Sequence, residues 1–384
     1  VGTAAARATG EVGTDPRLAL ASWVFTPLAG VLLGDWLGVL LRHGVRIPPR
    51  YWARTAFTTA MAALNSAVRV HEALRYHGAV RDAHVRAPVF ILGHHRSGTT
   101  HLWNLLGRDP RFASPTVLQA VFPHTMLSFE RAVHALARRA TPDTRPQDNV
   151  RFGPDESIEE ERAICAMCFC SMQMARHFPR HAERYKRYLT MRDVPEADRR
   201  RWAWSLDLFA RKLLVRKGLD KTLLFKAADH TGKVTLIREL YPDARFIHLH
   251  RHPYEVYRST IAMERATMPL YAYQRIDDSA LEEFVLWRYR EMYDAYLAQR
   301  PGMGAGSLVE LGFDDLRADP IRQVERIYSE LDLDGFGQVK PLMEQYMDSV
   351  SGYKMNRHPE LLRSARARVA ERWKPAFEAW GYRP

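Results

Sequence analysis

A chain of 384 residues that is 46% hydrophobic and 26% charged can bury one large core with a small appended region, which excludes a disordered or low-complexity protein. The formal net charge of +12 suits anionic ligands or membrane surfaces, yet no recognition-helix pattern or aromatic stacking platform accompanies it, so no nucleic-acid partner is expected. Three cysteines, an odd and sparse count, fit a reducing cytoplasm without a disulfide framework.

Residues 1–84 read as a helical extension. The stretch 23–41, WVFTPLAGVLLGDWLGVLL, is nearly apolar over a membrane-spanning length, but Pro27, Asp35 and several glycines make it a poor transmembrane helix. It lacks the basic start and small-residue cleavage site of a signal peptide. An amphipathic or buried helix is expected instead, one that covers a pocket, rests on a membrane surface through Arg42, Arg46 and Arg50, or simply packs on the core. A second helix is expected between Trp52 and Tyr76, with Ala, Leu and Val on one face and Arg54, Arg69 and Arg75 among its polar positions.

The most informative stretch is 89–106, VFILGHHRSGTTHLWNLL. A buried strand, a tight turn between Gly93 and Gly98, and a helix from Thr99 would aim unpaired helix N–H groups at one point, which is how a backbone binds an anion. Ser97, Thr99, Thr100 and Arg96 add donors around the same oxygens. The glycine spacing fits the nucleotide loop GxxxxGK[ST], with Thr100 at the hydroxyl position, but Thr99 stands where that pattern has its lysine. A phosphate cradle without that lysine suggests a nucleotide whose transferred group is not a γ-phosphate.

Residues 145–155 form a polar, proline-containing loop, a candidate rim for a substrate pocket. In GPDESIEEERAICAMCF, Ser157 and Glu160 have capping-box spacing, and Glu159 and Glu160 open a helix where acidic residues also suit the dipole. Cys165, Cys168 and Cys170 follow; they do not share one helical face, so buried thiols and no metal site are expected. Next, TLLFKAADH ends a strand and brings Lys226 and His230. The stretch ARFIHLHRHPYEVYRSTIAM reads as strand, break and helix, with Arg251 at the strand end and Ser259 eight residues later, suited to a second phosphate. An aromatic-rich helix (281–299), a strand (307–311), the segment FDDLRADP (313–320) and the basic stretch SGYKMNRHP before a last helix complete the chain.

These motifs, in this order, resemble the sulfotransferases that use 3′-phosphoadenosine 5′-phosphosulfate (PAPS), in particular a bacterial branch, over roughly residues 85–384. The family's loop [KR]-S-G-T-[TS] is matched by Arg96, Ser97, Gly98, Thr99 and Thr100; its Arg and Ser for the 3′-phosphate by Arg251 and Ser259; its YEDLxxDP by residues 313–320. The resemblance implies an α/β fold, a P-loop-like parallel sheet flanked by helices, with residues 1–84 as the helical extension. It implies sulfuryl transfer from PAPS to an acceptor hydroxyl with no metal required. Arg96, where many members have lysine, would act electrostatically on the leaving oxygen.

One branch keeps a catalytic histidine at the place of His230, with Lys226 facing the sulfonate, while a P-x-E-E-like element keeps Glu159 and Glu160 as alternative bases. A basic C-terminal loop folds over the 3′-phosphate in the family; Lys354 and Arg357 are the candidates here, although the family's RKG is absent. The apolar N-terminal stretch favours a hydrophobic small molecule or lipid as acceptor and a cytoplasmic enzyme with an option of contact at the inner membrane face. The other readings are a P-loop kinase using ATP and Mg²⁺, and a catalytically inactive nucleotide-binding protein associated with a membrane.

Overall fold

Strands β1 (Val89–Leu92), β2 (Phe112–Ala113), β3 (Thr222–Lys226), β4 (Arg245–His250) and β5 (Leu308–Gly312) form one sheet in the order β2-β3-β1-β4-β5, with every pairing parallel. The computed structural model describes residues 23–42, 47–140, 153–352 and 358–384. VFIL of β1 is buried at all four positions, as a central parallel strand covered on both faces requires. Alternate residues serve two cores: Phe90 and Leu92 join the larger apolar cluster, Val89 and Ile91 the smaller one on the other face. Phe90 meets Phe225 of β3 and Phe246 of β4, with ring centroids 5.4 and 5.9 Å apart. The chain leaves β1 on one side and, after β3, crosses over it to β4, so a crevice opens at the carboxyl ends of β1, β3 and β4, where open α/β sheets bind ligands.

Around the sheet lie α1 (Leu33–Arg42), α2 (Trp52–Asp82), α3 (Thr99–Leu106), α4 (Glu161–Cys168), α5 (Glu196–Lys217), α6 (Pro253–Tyr271), α7 (Asp278–Gln299) and α8 (Arg363–Arg372), among further helices. The expected single helix over 23–41 is broken. Thr26 caps a short 3-10 turn, Pro27–Gly30, and α1 begins only at Leu33. Proline at the first position of that turn explains the break, because its fixed φ starts a helix but cannot continue one. Among the described residues no helix is long and apolar enough to cross a membrane.

Helices α1 and α2 run antiparallel: Leu33 N–H donates to Ser66 Oγ (2.9 Å) and Trp36 Nε1–H to Thr59 Oγ1 (2.9 Å). Phe25, Leu28, Trp36 and Val39 belong to the same buried cluster as Phe90, so these N-terminal residues share the core of the sheet. A buried ion pair, Glu72 to Lys212 at 2.5 Å, ties α2 to α5, and Glu72 also accepts the amides of Leu127 and Ser128. The three cysteines are buried and free. Arg46 and residues 145–152 lie outside the described residues.

Candidate active site

The turn after β1 is held from several sides. Gly93 and Gly98 take φ of 131° and 96°, open only to glycine, and a Cβ on Gly98 would lie 2.3 Å from the Phe313 ring. Arg96 also adopts a left-handed φ of 72°, the kind of strain that persists where surrounding contacts impose it. Gly93 N–H donates to Thr231 Oγ1 (2.8 Å), His94 N–H to the Tyr293 hydroxyl (3.2 Å) and Ser97 N–H to His94 O (3.2 Å). Ser97 is buried, and Thr99 and Thr100 open α3, whose first N–H groups have no helical acceptor of their own.

The second motif meets the first. Arg96 Nε–H donates to Ser259 Oγ (2.9 Å), and Arg251 Nη1–H donates to the Arg96 carbonyl (3.1 Å). Arg251 lies over the Phe313 ring at 4.4 Å, so the FDDLRADP segment supports both motifs, while Asp319 caps the next helix. Glu255 pairs with Arg251 (3.5 Å) and with Arg258, which reaches the carbonyls of His358 (3.4 Å) and Pro359 (3.3 Å). Burial, together with Arg96 and Arg258, holds the His358 pKa below its ordinary value, a sign of the positive potential here. Lys354 and Arg357 lie outside the described residues.

A third group gathers at the end of β3. Lys226 Nζ lies 2.7 Å from Glu159 Oε1 and 5.2 Å from the Trp103 ring centroid. His95 Nδ1, on the β1 loop, is 3.7 Å from the same Glu159 oxygen. Both His95 and Glu159 keep some exposure, 20% and 18% of their side chains. Glu160 does not form the capping box expected with Ser157; its side chain turns inward and accepts the Lys226 amide (3.0 Å).

His230 is fully buried, Nδ1 3.0 Å from Glu160 Oε1 and Nε2 3.4 Å from Glu161 Oε2. Burial alone would lower its pKa, but the two carboxylates outweigh burial and push it up to about 9. Both its nitrogens face carboxylates and neither faces open space. That geometry does not suit direct removal of a proton from an acceptor. Lys233, 3.3 Å from Glu161, completes a buried group in which two cations face two carboxylates.

The structure thus brings Arg96, Ser97, Gly98, Thr99, Thr100, Arg251 and Ser259 into one cradle, and sets Lys226 and Glu159 beside it, with Glu160 and His230 beneath. Residue-by-residue reading missed His95 and Tyr293, and took Phe313 only as the start of the FDDLRADP segment. His95 lies inside the glycine loop and was visible as the neighbour of Arg96; Tyr293 arrives from a distant element and carries no local signal. Among the described residues no group of three or more His, Cys, Asp or Glu side chains is placed to hold a metal ion.

Comparison with known proteins agrees with this geometry. Residues 88–337 match the model of a family described as the sulfotransferase family. The chain is 28% identical over 364 residues to the omega-hydroxy-beta-dihydromenaquinone-9 sulfotransferase Stf3 of Mycobacterium bovis and, equally, of Mycobacterium tuberculosis, covering 94% of this chain and 92% of each relative. Its fold is similar to the crystal structure of sulfotransferase STF9 from Mycobacterium avium, with a TM-score of 0.69 at 18% identity over 96% of this chain and 97% of that one. The sulfotransferase STF1 from Mycobacterium tuberculosis gives a TM-score of 0.66 at 18% identity, over 96% of this chain and 100% of that one.

Proposed function

The chain belongs to the sulfotransferase family, and from that premise we propose that it transfers the sulfuryl group of PAPS to a hydroxyl of a hydrophobic, lipid-like acceptor. Two hydrogen bonds carry the donor assignment: Arg96 on Ser259 and Arg251 on the Arg96 carbonyl join the two phosphate motifs into a single cradle suited to a nucleotide phosphorylated at two places. The loop amides with Ser97, Thr99 and Thr100 hold the 5′-phosphosulfate; Arg251 and Ser259 hold the 3′-phosphate. Thr99 at the lysine position and the family match set aside the ATP-dependent kinase.

In the reaction the acceptor oxygen forms its bond to sulfur as the bond from sulfur to the bridging phosphate oxygen breaks. The bridging oxygen leaves with the electron pair, stabilised by Arg96, whose guanidinium supplies charge but no proton. The hydroxyl proton passes to His95, with Glu159 orienting the imidazole and balancing the charge it gains. Lys226, 2.7 Å from Glu159, would supply positive charge to the sulfonate oxygens. Glu160 and His230 act as positioning residues: Glu160 holds the end of β3 through the Lys226 amide, and His230 holds Glu160.

The acceptor reading draws on the mycobacterial relatives, whose name specifies a hydroxylated menaquinone, and on the apolar N-terminal helices. Residues of the extension reach the acidic side of the site. Arg162 Nη1–H, on α4, donates to the Phe25 carbonyl at 3.1 Å, which suits a cover over the acceptor. Three free buried thiols suit a cytoplasmic enzyme, and a lipid-like acceptor suits one working at a membrane face.

Calorimetric binding of adenosine 3′,5′-bisphosphate tests the donor site. Metal-independent binding to wild type, weakened about ten- to hundredfold by Arg251→Ala through loss of charge-assisted hydrogen bonds, is expected. A preference for ATP with Mg²⁺, or an Arg251→Ala variant that binds as wild type does, would overturn it.

A further inference from the structure

We propose that the outer face of the α1–α2 hairpin docks on an anionic lipid bilayer. Eleven large hydrophobic side chains are exposed among the described residues, and six of them, Leu37, Leu41, Trp52, Leu64, Val70 and Leu74, fall within these two helices. Three stand far out of the protein: Leu74 is 81% exposed, Leu41 73% and Trp52 62%. Such a concentration marks an interaction surface, whereas single exposed apolar residues do not.

Both helices contribute to one surface. Leu33 of α1 and Trp52, Ala56, Ala60 and Ala63 of α2 line a common open groove. Along α2 the exposed apolar positions Ala56, Ala60, Ala63, Val70 and Leu74 recur at helical spacing, so the stripe runs from the groove toward the carboxyl end. Beneath it the hairpin is fixed by Trp36, by Asn65 donating to the Ala29 and Val31 carbonyls, and by the Glu72–Lys212 pair. The apolar face is therefore displayed on a rigid element.

Charge decides the occupant. Arg42, Arg50 and Arg75 are exposed beside the stripe. The acidic residues of the same helices are turned away: Glu72 is buried against Lys212, Asp35 faces Arg201 at 4.0 Å, and Asp82 pairs with Arg81 at the far end. A second copy of this chain would bring basic flank to basic flank with no carboxylate to answer it. An anionic leaflet answers it directly, with guanidinium groups at the headgroups, leucines below them, and Trp52 at the boundary where its indole ring is favoured. The turn Pro27–Gly30, continuous with the hairpin, lies against α4, which follows directly on Glu159 and Glu160, so the docking element is joined to the acidic side of the site.

The proposed lipid-like acceptor gives this surface its use, but vesicle binding reads it out without turnover. Failure here leaves the transfer reaction standing, and failure of bisphosphate binding leaves the docking standing. The full chain is sedimented with vesicles of phosphatidylcholine alone and of phosphatidylcholine with phosphatidylglycerol. Binding to the mixed vesicles that weakens with salt is expected. The Leu41→Ser/Leu74→Ser variant should bind about tenfold more weakly or worse, and Arg42→Gln/Arg75→Gln should lose the preference for the anionic lipid. All four positions are exposed, and circular dichroism of the variants checks the fold. No binding to the mixed vesicles, binding unchanged by either variant, or a solution dimer that Leu41→Ser/Leu74→Ser dissociates would overturn the proposal.

Discussion

His95 and Glu159 meet because the β1 loop and the residues leading into α4 converge over the end of β3, 3.7 Å apart at a partly open edge. His230, by contrast, has both nitrogens turned to carboxylates inside the protein. The two histidines should therefore fail differently. His95→Asn is expected to lower kcat by about 10²- to 10⁴-fold, the usual worth of a general base, while leaving bisphosphate affinity near wild type. Glu159→Gln should cost less, because it removes an orienting charge and not the proton acceptor. Full turnover in His95→Asn, measured by release of adenosine 3′,5′-bisphosphate, would return the role of base to another group. Arg96, Arg251 and Ser259 were legible in the sequence because a strand, a glycine turn and a helix are local features with fixed spacing. The depth at which a histidine ends up is set by packing between distant segments, and a K-x-x-x-H spacing carries none of that information.

At the scale of elements, most of the sheet could be read in advance, since apolar runs such as VFIL and FIHL are bounded by turn residues and buried on both faces. The N-terminal region was less legible. Its hydropathy is continuous across residues 23–41, whereas Thr26 and Pro27 divide it, and composition alone does not reveal which apolar stripe turns inward. What fixes the orientation is an interaction between elements far apart in the chain, the Glu72–Lys212 pair. Lys212→Met would leave the Glu72 carboxylate buried without its counter-charge. A loss of about 3–5 kcal/mol in urea unfolding is expected, the size seen when one partner of a buried pair is removed. The double variant Glu72→Gln/Lys212→Met should recover much of that loss, because Gln can still accept the amides of Leu127 and Ser128. Strictly additive losses would show that the pair does not hold the hairpin.

For the whole molecule, pH acts through a few buried groups more than through net charge. A chain of net charge +12 loses positive surface charge as pH rises, which relieves self-repulsion and by itself favours the folded state. His230 works the other way. Its folded pKa, about 9, lies above the ordinary 6.5, so the folded protein binds a proton that the unfolded chain has released across that interval. The resulting stabilisation is complete below pH 6.5 and is lost as pH rises through 9. Asp229, whose pKa is raised to about 7 by burial and by Glu161, adds a separate decline at lower pH, between 3.8 and 7. Glu310 sets the opposite limb: held down to about 2 despite burial by His248, Tyr296 and Arg300, it contributes stability above pH 4.5 that disappears as pH falls through 2. Burial holds His94, His124, His177 and His250 below the ordinary 6.5, so protonation of the unfolded chain opposes folding in acid; stability should therefore be greatest near pH 6.5, and the melting temperature should drop by about a few degrees between pH 6.5 and 9. Glu161→Gln removes one of the two carboxylates that hold the proton on His230, so it should flatten that drop. A Glu161→Gln variant whose melting temperature falls between pH 6.5 and 9 as steeply as that of the wild type would mean that His230 is not held protonated between Glu160 and Glu161, and would reopen its candidacy as the base.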